Sequence, residues 1–234
     1  PSPIDLNSDS ALNMKRLSLV GDLIGQMRKF VDEVYVPDTL AIAGFYKDWG
    51  AVGEGLGNFM SFGDFPTAQM NDLDKLTVPR GAILNKDLST IHEVDLRAEK
   101  EVEEYVSRSW YDYSGGKDVG LHPWKGETTL NYTGPEPPYQ YLDVDKSYSW
   151  LKSPRWKGNA MEVGPLARCL LLYAKGHEPT KELIDSTLAR LEVPITALFS
   201  TLGLTAARTL ETEICAELLP RLFNGLVENM KTGV

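Results

Sequence analysis

Ser147-Tyr148-Ser149-Trp150-Leu151-Lys152-Ser153-Pro154-Arg155-Trp156-Lys157-Gly158-Asn159-Ala160-Met161-Glu162-Val163-Gly164-Pro165-Leu166-Ala167-Arg168 is the stretch on which the reading of this chain turns. Its first half is aromatic and carries a proline, and it keeps no helical period. Its second half ends in Gly164-Pro165, which opens a helix because proline's fixed φ suits a first helical turn. The apolar residues from Leu166 to Ala174 continue that helix, and Lys175-Gly176 ends it. Glu162 and Arg168 straddle its start. As an ion pair or cap they would hold the helix to the loop before it, and as a supporting pair they would steady a reaction centre at one remove.

Upstream, ten aromatic residues fall between Trp110 and Trp156, interleaved with Pro123, Pro135, Pro137, Pro138 and Pro154. A structureless loop of this length is unusual in a compact domain, and its tryptophans and tyrosines need something to pack against. Downstream, Pro179 starts a helix that continues to about Leu191. A longer stripe runs from Ile195 to Met230 through Leu198, Leu202, Ala206, Leu210, Ile214, Leu218, Leu222 and Leu226. Pro220 removes one backbone donor from that stripe, which predicts a kink or a restart there.

At the other end, Met14, Leu17, Val20, Leu23, Ile24, Met27, Phe30, Val31 and Val34 recur at steps of three and four, predicting an amphipathic helix from about Ala11 to Val34. Asp9 or Ser10 is placed to cap it, Val36-Pro37 to stop it, and Pro37 to open a second helix through about Trp49. Gly53-Glu54-Gly55-Leu56-Gly57 looks superficially like a phosphate loop. Its third glycine stands one position too early for the dinucleotide fingerprint, and no parallel-sheet unit surrounds it, so a turn into an extended Phe59–Phe62 run is the reading. Arg80 to Val94 predicts a small β-hairpin reversing at Asn85-Lys86-Asp87. Arg97 to Val106 predicts a short charged helix whose glutamates form a solvated face.

The balance of 24 Lys+Arg against 33 Asp+Glu gives a net charge of −9. No basic stripe is present to neutralise phosphates, which argues against a nucleic-acid partner. No apolar run approaches the roughly 20 residues that cross a bilayer, so no transmembrane segment is expected. Pro1-Ser2-Pro3-Ile4-Asp5 shows no basic region followed by an apolar stretch, so no secretory signal is expected there. His92, His122 and His177 share no metal-ligand spacing, and neither a Gly-x-Ser-x-Gly elbow nor a P-loop occurs. His122, in the aromatic segment, reads as a hydrogen-bonded structural residue or as lining a path to a distant site; His92 and His177 read as surface or turn positions. Asp143-Val144-Asp145 reads as a turn or ion-pair position rather than a cation site. Cys169 and Cys215 sit singly in apolar helical patterns and read as buried thiols rather than a disulfide.

The stretch from Ser147 to Arg168 closely resembles a segment of nickel–iron hydrogenase large subunits of the membrane-bound uptake type. Gly57-Asn58-Phe59 with Phe62-Gly63-Asp64-Phe65-Pro66 resembles the same family, as does His122-Pro123-Trp124 through Gly126, Thr128 and Tyr132-Thr133-Gly134. The matches follow the family's order and are strongest over residues 36–66 and 119–168. That family holds its metals with two Cys-x-x-Cys pairs, and this chain has neither, so the resemblance is to an interior segment. Cys169 and Cys215 lie outside those motifs, and the family's terminal histidine region and its arginine near the metals have no match. The resemblance therefore assigns no catalytic and no metal residue here, leaving His122, Glu162 and Arg168 as supporting or structural candidates.

The resemblance implies a mainly α (α+β) fold: a helical bundle-like core with a small antiparallel β-hairpin part and a long aromatic and proline-rich irregular segment. The expected segments are 1–109, 110–163 and 164–234, parts of one unit of a larger subunit. It also implies an H2:acceptor oxidoreductase whose complete large subunit carries a Ni–Fe centre with CO and CN ligands. Iron–sulfur clusters would reside in a small-subunit partner of the heterodimer, on the periplasmic side of the cytoplasmic membrane. The span itself would be scaffold, packed against the rest of the large subunit. The alternative is a metal-free helical protein-interaction module sharing that scaffold. A carboxylate-based hydrolase would need two buried carboxylates in one cleft, and nothing in the spacing provides them.

Overall fold

The backbone does not break at Val36-Pro37. In the computed structural model, which describes residues 13–67, 75–136, 143 and 145–232, helix α1 (Met14–Phe30) passes through a π-helical turn (Val31–Tyr35) into α2 (Val36–Phe45). In an ordinary helix the Pro37 ring would strike the carbonyl four residues back and leave it without a donor. The π turn absorbs that conflict by widening the spiral, with the Val36 N–H bonded to Val31 O five residues back. The expected stop is therefore a change of helical pitch. The caps proposed at Asp9 or Ser10 lie outside the described residues; Asn13 caps α1, its Oδ1 accepting from Arg16 N–H at 2.9 Å. Beyond α2, a 3-10 segment (Lys47–Ala51) replaces the last turn of the expected second helix.

The remaining helices are α3 (Pro165–Ala174), α4 (Glu178–Leu191) and α5 (Thr201–Thr232). The strands are short: β1 (Phe59–Ser61), β2 (Asp64–Pro66), β3 (Leu76–Val78), β4 (Gly81–Ile83), β5 (Val102–Tyr105), β6 (Tyr111–Asp112), β7 (Thr129–Leu130), β8 (Ser153–Trp156) and β9 (Asn159–Ala160). The chain is thus mainly helical with small antiparallel sheets. It divides into two compact units, residues 1–53 with 178–234, and residues 54–177. Those borders differ from the expected ones at 109/110 and 163/164. One reason is that β5 pairs with β8, joining residues on both sides of position 110.

The first unit is built from helices. α5 packs against α1, the π turn and α2, and α2 also meets α4. Leu40, Ala43 and Leu191 form a buried cluster with Val36, Val193 and Leu202 around it. A 3-10 segment (Ile195–Phe199) leads to Ser200, whose Oγ accepts from Gly203 N–H at 3.1 Å and so caps α5. α5 then runs unbroken past Pro220, so of the kink or restart expected there the restart is absent. Many apolar side chains of this unit are exposed, among them Leu19, Leu23, Met27, Phe30, Ile42 and Phe45, the last at 88%.

The second unit holds the strands. β1 pairs antiparallel with β4, Met60 opposite Ala82. The expected Arg80–Val94 hairpin is present only as a reversal: Asn85 and Lys86 both take positive φ, and the return is a single bridge in which Ala82 and His92 exchange N–H···O bonds of 2.9 and 2.8 Å. The charged helix expected over Arg97–Val106 is corrected to turns followed by strand β5. Asp95 Oδ1 accepts from Arg97 N–H at 2.9 Å and starts the turns, and β5 then places Val102 opposite Trp156 and Glu103 opposite Arg155. Pairing with β8 satisfies the backbone and buries Val102, which outweighs the helix preference of the glutamates. Met60, Ala82, Val94, Val102, Trp156 and Met161 make the core of this unit.

The aromatic segment partly packs on itself. β6 pairs with β7, and the Trp110 ring meets Tyr132 at 4.9 Å and Trp150 at 5.0 Å between centroids. Helix α3 lies on β1 and buries Leu166, Ala167, Cys169, Leu170, Leu171 and Leu172. It ends as its sequence predicts: Gly176 takes φ 74°, its N–H reaching Tyr173 O and that of His177 reaching Leu172 O, both at 3.0 Å.

Candidate functional site

The glycine-rich turn is the seat of Glu162. The Glu162 backbone is fixed first: its N–H donates to Asn58 O at 2.7 Å, and its carbonyl accepts from Met60 N–H at 2.9 Å, beside β1. The side chain then turns into the Glu54–Asn58 loop, where Oε1 accepts from Gly57 N–H at 2.9 Å. Gly55 lies flat against the carboxylate. A Cβ built there would stand 2.6 Å from Oε2 and 2.7 Å from Cδ, so any side chain at this position must displace the carboxylate. Asn58 carries the arrangement further, its Oδ1 accepting from Asn85 N–H at 3.0 Å and its Nδ2 donating to Ala160 O at 3.2 Å. Lys86 N–H donates to Gly57 O at 2.8 Å, and its ammonium pairs with Glu54. The Glu162 carboxylate thus ties the loop to the approach to α3, while Asn58, the Gly57 carbonyl and the Glu54–Lys86 pair tie the loop to the β4 reversal. It accepts a backbone N–H and is aimed at peptide groups, which suits a clamp rather than a proton-transfer base.

Arg168 occupies the first turn of α3, its backbone N–H bonded to Gly164 O at 3.1 Å. His122 is 4% exposed and held at both ring nitrogens. Nε2 stands 2.8 Å from Leu96 O, which only accepts, so that nitrogen carries the proton; Nδ1 accepts from Trp124 N–H at 3.2 Å. With both nitrogens engaged, the imidazole has no lone pair to offer a metal. His122 and Glu162 are anchored on different partners and share none of these hydrogen bonds. His92 lies beside the Trp156 ring, 5.6 Å between centroids. Asp143 Oδ1 accepts from Asp145 N–H at 3.1 Å, its carboxylate pairs with Lys146 at 3.2 Å, and these contacts, Lys146 first, hold its pKa below the usual value; Val144 lies outside the described residues.

Among the described residues no three His, Cys, Asp or Glu side chains stand together to hold a metal ion. Cys169 is buried in α3 and Cys215 is half-buried in α5, in different units and not joined by a disulfide. A thiolate-bound bimetallic centre does not fit the donors present. Also among the described residues, no helix is long and apolar enough to cross a membrane. Sequence reading missed the glycine loop as Glu162's seat. The available signal was the spacing of Gly55 and Gly57, which marks a place where another group approaches the backbone closely.

A helical unit and a strand unit, the latter with a glycine loop closed on a carboxylate before a Gly-Pro helix start, are the frame in which the likeness to known proteins falls. The chain belongs to the nickel-dependent hydrogenase family, which it matches over residues 1–234. It is 44% identical over 246 residues to the uptake hydrogenase large subunit of Rhodobacter capsulatus, covering 100% of this chain and 41% of that protein. It is 39% identical over 231 residues to the hydrogenase-1 large chain of Escherichia coli strain K12, covering 95% and 38%. A solved chain of the NiFeSe hydrogenase of Desulfomicrobium baculatum superposes with a TM-score of 0.66 at 26% identity, covering 92% of this chain and 40% of that one. The chain therefore spans about two fifths of the length of the curated relatives it matches.

Proposed function

We propose that this chain is an interior portion of the large subunit of an uptake-type nickel–iron hydrogenase and serves there as scaffold. The complete enzyme oxidises H2 to protons and electrons and passes the electrons to an iron–sulfur small subunit, as a heterodimer on the periplasmic side of the cytoplasmic membrane. The Ni–Fe centre, its iron bearing CO and CN, belongs to parts of the large subunit outside this span. Within the span, Glu162 clamps the glycine loop, while His122 and Arg168 hold the aromatic segment and the start of α3. The observation that carries this reading is the 44% identity, over the whole chain, to an uptake hydrogenase large subunit that is more than twice as long. The exposed Leu19, Leu23, Phe30 and Phe45 of the helical unit, with Trp124 and Leu151 of the strand unit, accord with a body that other polypeptide covers.

The test is elemental analysis for nickel and iron, with intact mass and H2-dependent dye reduction, on the complete matured subunit and on these 234 residues alone. The expected result is nickel, iron and activity in a longer polypeptide bearing Cys-x-x-Cys near both ends, and neither metal in the span alone. A complete matured subunit that contains this segment yet lacks nickel and H2 oxidation overturns the proposal and leaves the metal-free interaction module.

A further inference from the structure

The helical unit contains a carboxyl oxygen that its fold leaves unsatisfied. Glu213 sits on α5 with Oε2 sealed from solvent and without a hydrogen-bond partner. The charged groups around it come from both sides of the helix pair. Asp32 faces it from the π turn, which packs on α5, and Glu217 faces it from one turn further along α5. Arg28 of α1 commits its guanidinium to Glu217, and its own Nε is buried without a partner. Glu213 therefore has two carboxylates near it, and the Arg28 guanidinium is spent on Glu217. Carboxylates crowded in this way cannot all ionise cheaply, and a proton on one removes both a like-charge contact and a desolvated charge. Glu213 has a sealed, unpaired oxygen, so its charged form is disfavoured.

We propose that Glu213 is a proton-operated latch: it holds a proton as a neutral carboxylic acid, and the pairing of α5 with the π turn tightens when that proton is bound and loosens when it leaves. The location of the latch gives it leverage. The π turn exists because of Pro37, and it joins α1 to α2, so a repulsion between Asp32 and an ionised Glu213 pushes at the junction of the hairpin rather than at a free end. Burial first, then Asp32, then Glu217, all raise the Glu213 pKa above its ordinary 4.5. A raised folded-state pKa means that the stabilisation is complete below the ordinary glutamate value and is lost as pH rises through the folded one.

Two measurements on the full chain test this. The first follows glutamate side-chain carboxyl carbons by NMR against pH, with Glu213→Gln identifying the resonance. The proposal expects the Glu213 midpoint above those of exposed glutamates such as Glu228, and lower in Asp32→Asn than in the parent. The second compares thermal unfolding of the parent with Glu213→Gln, which keeps the shape of the side chain and removes its charge. The variant is expected to unfold at higher temperature than the parent at about pH 8, with the gap closing at about pH 4.5. A midpoint within the ordinary glutamate range, or a difference between parent and variant that does not change with pH, overturns the proposal. Neither readout involves hydrogen turnover, so its outcome is independent of the hydrogenase reading.

Discussion

Glu162 and Gly55 touch so closely that the glycine has no room for a β-carbon, which would come within 2.6 Å of Glu162 Oε2. Gly55→Ala must displace the carboxylate and break its bond to Gly57 N–H. The expected loss is about 1–3 kcal/mol of stability, read by urea unfolding of the full chain. Glu162→Gln keeps an oxygen for Gly57 N–H and should lose less than Glu162→Ala, which leaves that donor unpaired. Equal losses for the two variants would mean that the hydrogen bond contributes nothing.

His122 joins Leu96 to Trp124 through opposite edges of one ring. Replacing it by leucine fills the volume but abandons a carbonyl and an N–H in a buried place, for an expected cost of about 2 kcal/mol or more. Nitrogen chemical shifts of the parent should report the proton on Nε2 and an accepting Nδ1. The opposite tautomer would contradict the geometry.

Val102 discriminates strand from helix in the segment where local helix preference and tertiary pairing disagree. Alanine is the better helix former, so Val102→Ala would stabilise a charged helix. In β5 the side chain is buried in the core opposite Trp156, and the same change should destabilise by about 1–3 kcal/mol. The sign of the shift in unfolding midpoint decides between them.

Glu127 pins the turn between β6 and β7. Its carboxylate accepts from Ser114 N–H at 2.6 Å and from Ser114 Oγ at 2.7 Å, and these bonds, the side-chain one first, hold its pKa below the ordinary 4.5. A lowered folded-state value means that the tie is present above the ordinary carboxylate range and is lost as pH falls through the lowered one. Protection of the Ser114 amide, measured against its intrinsic exchange rate, should therefore fall on acidification in that window, and Ser114→Ala should move the Glu127 titration upward. Exchange at Ser114 that ignores the Glu127 titration would show the tie to be idle.

Much of the helical frame is legible without coordinates. The three- and four-residue steps of α1, the Gly-Pro start and Lys-Gly end of α3, and the long stripe of α5 are local patterns, and local patterns survive folding because the backbone bonds of a helix close within a few residues. The family is legible for the same reason, through short runs such as Phe62–Pro66 and Ser147–Arg168. His122, Glu162 and Arg168 were identifiable as positions of interest, but their partners were not. Gly57 lies 105 residues from Glu162, and Leu96 lies 26 from His122. No spacing rule reaches that far.

By itself, then, the sequence determined the apolar stripes of α1 and α5 and the start and end of α3, which family the chain resembles, and that no cysteine pair stands in metal-binding spacing. Tertiary structure alone decided that Val102-Glu103-Glu104-Tyr105 is extended, that the helix reaches Pro37 through a π turn, that Gly55 faces a carboxylate, and that the units divide at Gly53 and His177. Each of these is settled by a partner distant in sequence: a strand edge needing donors, a neighbouring helix, a side chain needing space. Free energy from such contacts is comparable with local preference, so it overrides that preference wherever the two disagree.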